Sequence, residues 1–186
     1  VPKLPHIYSE PFADSSQIPT FLVNQMAKRQ VTVALSGDAG DELFGGYTPY
    51  QFAPKVWDAI SKLPLSIRKA VAGLLSGLPM PDKLLKLLNV LPSKDRADFY
   101  HILMTHWQQP EQLVLGAKPY PTVFDIPSQQ PNTDCFEHWM MAMDASQYMI
   151  DDILVKVDRA AMANSLEVRV PMLDHRVVEF AWTLPL

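Results

Sequence analysis

The hydrophobic pattern predicts one strand near the start of the chain and helices over most of the rest. The segment VTVALS, residues 31–36, is uncharged and rich in β-branched residues, which is typical of a strand buried on both faces of a sheet. Before it, apolar residues recur at helical spacing behind a capping Asp or Ser: Ile18, Phe21, Leu22 and Met26. Because prolines disfavour a helix, we expect an extended lead-in over residues 1–13.

Helical periodicity resumes after Tyr47. The apolar spacing predicts a series of helices at residues 48–62, 64–77, 81–90, 93–107 and 110–115. The proline-rich segment GAKPYPTVFDIPSQQPNTD then predicts a long irregular connection. Asp134 and Glu137 have the spacing of a capping box, which indicates the start of another helix.

The end of the chain is predicted to contain two more helices with an extended segment between them. The first covers residues 149–166, where Lys156 is expected to support the helix through a pair with Asp152. SLEVRVPMLDH is extended, because Pro171 keeps the residue before it out of the helical region. Asp174 is the expected N-cap of the last helix.

A single predicted strand implies that more sheet exists elsewhere, because a lone buried strand cannot satisfy its own backbone groups. The chain also begins with Val1 and ends in the apolar run FAWTLPL. We therefore expect a piece of a longer protein, with the rest of the sheet upstream.

Composition narrows the class of protein without identifying it. The 186 residues are 48% hydrophobic, which is enough for a domain with a real core. A net charge of −4 gives no argument for nucleic acid or an acidic membrane surface. No apolar stretch approaches the ~20 residues that span a bilayer. The single cysteine, Cys135, excludes an internal disulfide framework and fits a reducing, cytoplasmic compartment.

The predicted strand leads directly into an acidic, glycine-rich turn, SGDAGDELFGGY. Ligands of open α/β sheets bind at the carboxyl ends of strands, which is where this turn begins. It lacks the lysine and hydroxyl of a Walker A loop and the spacing of a dinucleotide fingerprint or an EF-hand. Mg²⁺ takes one or two carboxylates plus phosphate oxygens, so Asp41 with a partner aspartate suits half of a Mg-ATP site. The same residues also fit a purely structural Asx-type turn that caps the helix DELFGGY.

Two long motifs carry a family resemblance. VTVALSGDAGDELFGGY and DDILVKVDRAAMANSLEVRVPMLDHRVVEFAWTLP resemble the glutamine-hydrolysing asparagine synthetase family, in its C-terminal synthetase domain. LPHIYSEPFADSSQIPTFLV is similar to the segment that precedes the first motif, so essentially the whole chain is covered. The resemblance implies an α/β fold, part of a parallel-sheet ATP-pyrophosphatase domain of the adenine nucleotide α-hydrolase-like type, predominantly helical here. Residues 1–186 would be a partial domain, with an ATP-binding loop at 34–47 and a helical remainder at 48–186.

The resemblance also implies an activity. The family uses ATP to convert the aspartate carboxylate into an acyl-adenylate, releases pyrophosphate, and forms asparagine with ammonia from glutamine. The implied positions that hold the AMP part of ATP are Leu35, Ser36 and Gly37. Asp41 matches the aspartate that binds Mg²⁺ and pyrophosphate.

Two further carboxylates match positions at the acyl group. Asp38 stands where well-known members have a glutamate that faces the activated intermediate, and Glu167 matches a glutamate on the acyl-acceptor side. A carboxylate there can take the proton that an attacking ammonium must lose. From the residues alone, Glu167 could instead pair with Arg169, two positions further along an extended segment.

Several parts of the family's machinery are not in this sequence. These are the pyrophosphate loop S-G-G-x-D-S, a later catalytic lysine, and the glutaminase domain with its cysteine nucleophile, so we expect the fragment alone to be inactive. The implied partners are aspartate, ATP, ammonia from glutamine and the glutaminase domain of the parent chain. No nucleic acid or membrane is implied, and a homodimer is left open. Two rivals remain, an amidotransferase for another carboxylate such as a sugar acid, and a non-catalytic nucleotide-binding remnant.

Overall fold

The computed structural model describes residues 2–105, 107, 112, 114, 116, 118 and 120–185. The chain divides into two compact units. We call residues 1–47 and 141–186 the sheet unit, and residues 48–140 the helical unit. The predicted helix at 110–115 falls largely outside the described residues. None of the described helices is both long and apolar enough to cross a lipid bilayer.

The sheet unit contains short elements from both ends of the chain. In chain order they are α1 (Leu4–Tyr8), α2 (Gln17–Ala27), β1 (Val33–Leu35), α3 (Gly40–Phe44), the end of α8 (Phe136–Ser146), a π-helical turn (Met149–Leu154), α9 (Val155–Met162), β2 (Glu167–Arg169) and α10 (His175–Ala181). The prediction of an extended lead-in is wrong, because α1 forms there. Pro5 stands in its first turn, where a missing N–H leaves no intrahelical bond unmade.

The sheet is small and parallel. β1 pairs with β2 so that Val33 lies opposite Glu167 and Leu35 opposite Arg169. The Ser36 N–H extends the ladder by donating to the Arg169 carbonyl at 2.9 Å. The prediction that β1 is buried on both faces is wrong for this chain, since Leu35 is 73% exposed. Within the described residues β1 has β2 as its one strand neighbour.

Helix α9 is the centre of the sheet unit. It packs against α1, α2 and β2, and its inward residues Val157, Ala160 and Ala161 are buried. The predicted helix over 149–166 forms over Met149–Met162, where the π-helical turn continues directly into α9, and it ends four residues earlier than predicted. The prediction for α10 is confirmed, since the Asp174 carboxylate accepts from the N–H of Arg176 at 2.9 Å.

The helical unit is built from the predicted helices with bounds shifted by a few residues. They are α4 (Thr48–Ser61), α5 (Leu65–Leu75), α6 (Asp82–Val90), α7 (Arg96–Met104) and the start of α8, with two 3₁₀ turns (Val123–Asp125 and Pro127–Gln129) in the proline-rich connection. Aromatic rings fill its interior, where Phe99, Tyr100 and Trp139 are buried. Arg68 is also buried, and its guanidinium donates to the carbonyls of Leu63, Leu91 and Ser93.

Candidate active site

A polar cleft of about 460 Å³ opens in the sheet unit just beyond the carboxyl end of β1. Three segments supply most of its wall, namely the turn before α2, the loop between β1 and α3, and the π-helical turn with the start of α9. The lining residues with ionisable side chains are Asp14, Asp38, Asp41, Glu42, Tyr47, Tyr148 and Lys156. The backbone of Ser36 and Gly37 completes the side next to the strand.

The loop after β1 holds Asp38 in place through its own neighbour. The Ser36 hydroxyl donates to the Asp38 carboxylate, which turns that carboxylate back towards the strand end. The N-cap of α3 is Ala39, in a left-handed conformation with φ of 67°, and no side chain caps the helix. The structural alternative, in which an Asx-type turn caps this helix, is therefore not what forms.

Asp41 occupies the first turn of α3 and depends on a glycine beside it. A Cβ atom at Gly46 would overlap the Asp41 carboxylate and lie 3.2 Å from the Asp41 Cα. The Gly46 N–H also donates to the Asp41 carbonyl at 2.9 Å. Asp41 can keep its present position because residue 46 has no side chain.

Glu42 is the buried acid of the cleft. It is 1% exposed, and the Tyr47 hydroxyl donates to its Oε1 at 2.7 Å. Burial and this hydrogen bond to Glu42 raise the pKa of Tyr47 well above its ordinary value. Burial, assisted by nearby carboxylates such as Asp152, raises the pKa of Tyr148 to about 12. Both phenols therefore stay protonated at neutral pH and act as hydrogen-bond donors, not bases.

Lys156 brings a positive charge to the same cleft. Its Nζ donates to Asp14 Oδ2 at 2.7 Å and to Ser16 Oγ at 2.8 Å. Partial burial opposes ionisation of Asp14, but the hydrogen bonds from Lys156 and Ser16 outweigh it and lower the pKa of Asp14. The ion pair connects α9 to the turn before α2, residues that are 142 positions apart in the chain.

Four of the six predicted site residues come together in this cleft. Ser36, Gly37, Asp38 and Asp41 all line it. Leu35 does not, because its side chain points to solvent from β1. Glu167 is also outside the lining set.

The Glu167 side chain lies on exposed β2, where its Oε1 accepts from Arg169 Nε at 2.8 Å. This is the structural pairing that the sequence left as an alternative.

The cleft also contains residues that sequence reasoning did not assign to a site: Asp14, Ser16, Glu42, Tyr47, Tyr148 and Lys156. Glu42 and Tyr47 were within the quoted motif, and their presence in one short acidic turn was an available signal. Asp14 and Lys156 gave no such signal, because nothing in the local pattern of either segment points to the other.

Comparison with known proteins identifies the family. The asparagine synthase family profile matches residues 1–186, so the chain belongs to the asparagine synthase family. The predicted fold class is confirmed. The chain is mostly helical with a small parallel sheet, and its family has the ATP-pyrophosphatase type of α/β fold.

Curated relatives cover the chain from end to end. The chain is 32% identical over 190 residues to asparagine synthetase [glutamine-hydrolyzing] 1 of Bacillus subtilis. The match covers all of this chain and 30% of that protein. The chain is 33% identical over 191 residues to a putative asparagine synthetase [glutamine-hydrolyzing] of Mycobacterium tuberculosis, of which it covers 29%. A third relative, putative asparagine synthetase [glutamine-hydrolyzing] 2 of Methanocaldococcus jannaschii, is 43% identical over 95 residues, 51% of this chain and 18% of that protein.

The chain thus spans less than a third of the length of these relatives. No solved structure is significantly similar to it.

Proposed function

We propose that this chain is part of an ATP-dependent, AMP-forming amidotransferase that converts aspartate to asparagine with ammonia derived from glutamine. The observation that carries the proposal is the cleft, which gathers Asp38, Asp41 and Lys156 at the carboxyl end of a parallel strand. That end is where α/β folds of this kind bind ligands. Membership of the asparagine synthase family and the names of the relatives support the choice of reaction.

ATP would bind against the backbone of Ser36 and Gly37, with Asp41 facing its phosphates through Mg²⁺. Within the described residues no group of three or more His, Cys, Asp and Glu side chains could hold a metal ion by itself. Mg²⁺ commonly takes only one or two carboxylates and completes its shell with phosphate oxygens and water, so Asp41 fits a shared site of that kind. When bound, Mg²⁺ would neutralise charge on the departing pyrophosphate.

Asp38 is the proposed proton acceptor for the attacking ammonia. Its carboxylate lines the cleft, is half-buried at the loop and is held near the strand end by the Ser36 hydroxyl. Proton transfer to a positioned general base of this type typically raises the reaction rate by about 10²–10⁴-fold. Glu167 is retained as a second acyl-side residue, and its ion pair with Arg169 would have to open for that role.

The test uses the full-length protein that contains this chain. We would incubate it with Mg-ATP and glutamine, with and without aspartate, and quantify AMP, pyrophosphate and asparagine. The proposal expects AMP that depends on aspartate, with asparagine in equal amount. Glutamine hydrolysis without AMP in the presence of aspartate would favour the rival, an amidotransferase for another carboxylate, which Asp38 in place of glutamate keeps open.

Two matched variants separate the carboxylates. Asp38→Asn should lower asparagine formation on the order of a hundredfold or more while leaving Mg-ATP binding nearly unchanged, because it removes the proton acceptor only. Glu167→Gln likewise replaces a carboxylate by an amide, but at the residue that pairs with Arg169. Equal activity of Glu167→Gln and the wild type would assign Glu167 to the ion pair alone.

A further inference from the structure

Lys156 has a position that a purely structural lysine does not require. Its side chain is 11% exposed, yet it lines the cleft that holds Asp38 and Asp41. Removing an ammonium group from water is costly unless the charge is paired. Asp14 and Ser16 provide that pairing from one side of the cleft wall.

The pairing does not use the full capacity of the ammonium group. A lysine has three N–H donors. Among the described residues, Asp14 and Ser16 are the side-chain partners of Nζ, which accounts for two of them. One donor remains for a group inside the cleft.

The backbone before α9 turns Lys156 into the cleft together with Tyr148. In a regular α-helix, side chains eight positions apart diverge by about 80°. The π-helical turn over Met149–Leu154, with i→i+5 hydrogen bonds, lies between the two residues and departs from that regular spacing. Such turns frequently occur at functional sites, and here both side chains line one cavity.

The charges of the cleft indicate what that donor would meet. Within the described residues, its lining includes the carboxyl groups of four acidic residues and the side chain of a single basic residue, Lys156. Asp14 is paired with Lys156 and the buried Glu42 accepts from Tyr47, which leaves the carboxylates of Asp38 and Asp41 at the cavity. These carboxylates repel a phosphate or a second carboxylate, so an anionic ligand needs a positive contact to enter.

We propose that Lys156 is the residue of the cleft that contacts the anionic part of the bound substrate, with Asp14 and Ser16 as positioning residues for its ammonium group. The contact is a charge-assisted hydrogen bond to an anionic oxygen, which either a phosphate of ATP or a carboxylate of the acyl substrate can offer. This inference rests on the proposed function for the choice of those two ligands.

The experiment measures equilibrium binding by calorimetry in the full-length protein. The probes are Mg-ATP and L-aspartate, each titrated separately into the wild type and into Lys156→Gln and Lys156→Met. Glutamine keeps N–H donors towards Asp14 and Ser16, whereas methionine keeps only the shape. Both should raise Kd by roughly tenfold or more for the probe that Lys156 contacts, because a hydrogen bond to a charged group is lost.

The two probes distinguish the two sources of the anion. A weakened Kd for Mg-ATP alone assigns the contact to a phosphate, and a weakened Kd for aspartate alone assigns it to a carboxylate. Asp14→Asn should weaken the same probe by a smaller factor, and Asp14→Glu should restore most of the loss, since the ammonium charge remains in both variants. Unchanged Kd values for both probes in Lys156→Gln would overturn the inference.

Arg68 offers the matched structural control. It is also a buried cation, but its donors meet backbone carbonyls of the helical unit and it does not line the cleft. Arg68→Met should lower the unfolding midpoint without changing either Kd. A wild type that binds neither probe overturns the inference, whereas a wild type that binds them without making asparagine refutes only the proposed function.

Discussion

The interior of the helical unit and the cleft of the sheet unit are stabilised by different kinds of interaction. In the helical unit Phe99 lies against Trp57 and Phe136, with ring centroids 5.7 and 6.3 Å apart. The one charged group in contact with these rings is the buried Arg68 guanidinium, 5.8 Å from the centre of the Trp57 ring, within the described residues. In the cleft the stabilising features are an ion pair, a buried carboxylate with its phenol donor, and a loop in which Ala39 has a left-handed conformation. Apolar packing depends on volume, whereas the cleft depends on charge and backbone geometry.

The difference teaches where each region can change. A close-packed aromatic core loses stability when volume is removed, and pH hardly affects it. A polar cleft tolerates small changes of volume but is sensitive to a misplaced carboxylate or a lost charge. Four substitutions test this contrast, and they are given in order of decreasing expected effect.

The largest loss of stability is expected for Phe99→Ala in the core of the helical unit. Phe99 is 0% exposed, and such truncations cost about 3–5 kcal/mol through lost transfer energy and the cavity that remains. Urea unfolding followed by tryptophan fluorescence measures it, because Trp57 packs on Phe99. Phe52→Ala is the control in the same unit at a partly exposed position, and its loss should be well under half as large. Equal losses would contradict the assignment of Phe99 to the core.

Among these four substitutions, Gly46→Ala is expected to lower activity most without a comparable loss of stability. The new Cβ must displace the Asp41 carboxylate, so AMP formation should fall on the order of tenfold to a hundredfold. Gly73→Ala is the control, because a Cβ at Gly73 meets no atom within 4 Å. It should leave activity unchanged and slightly stabilise α5, since Ala is the better helix former. Normal activity of Gly46→Ala would show that Asp41 need not be held where it lies.

A pH-dependent effect is expected for Asp14→Asn. The hydrogen bonds to Asp14 lower its pKa in the folded state below 3.8, so its ionised form contributes stability above that pH. The contribution is lost as pH falls through the folded pKa. The difference in urea midpoint between wild type and Asp14→Asn should therefore shrink on going from about pH 6 to about pH 3. A difference that stays constant over this range would argue against the ion pair with Lys156.

The smallest effect is expected for Ala39→Gly. Ala39 has φ of 67°, a conformation that costs an L-residue about 1–2 kcal/mol and glycine almost nothing. Relief of this strain offsets two losses, that of the buried methyl group and that from the added freedom of the unfolded chain. The net change in the free energy of unfolding should therefore lie within about 1 kcal/mol. Ala160→Gly removes an equally buried methyl from the helix α9 and should be more destabilising by about 1 kcal/mol. Equal losses in the two variants would contradict the strain at Ala39.

Local signals predicted much of the candidate site. The strand end and the acidic turn indicated a ligand site with Asp41 at its metal, and the resemblance added the roles of Ser36, Gly37 and Asp38; all four residues line the cleft. They lie within a few residues of each other, so no long-range packing was needed to bring them together. Glu167 was also assigned by resemblance, but it comes from a distant segment, and its side chain pairs with Arg169.

Local sequence was enough to predict the helices of the helical unit, the Asp174 cap of α10 and the turn from β1 into α3, since each depends on residues within one or two turns. The pairing of β1 with β2 and the contact of Asp14 with Lys156 became visible only in the folded chain. These two contacts join distant segments, and their stability comes from backbone pairing, burial and charge pairing that no local pattern encodes. The sequence therefore predicted the carboxylates Asp38 and Asp41 of the cleft, but it did not predict that Lys156 lies beside them.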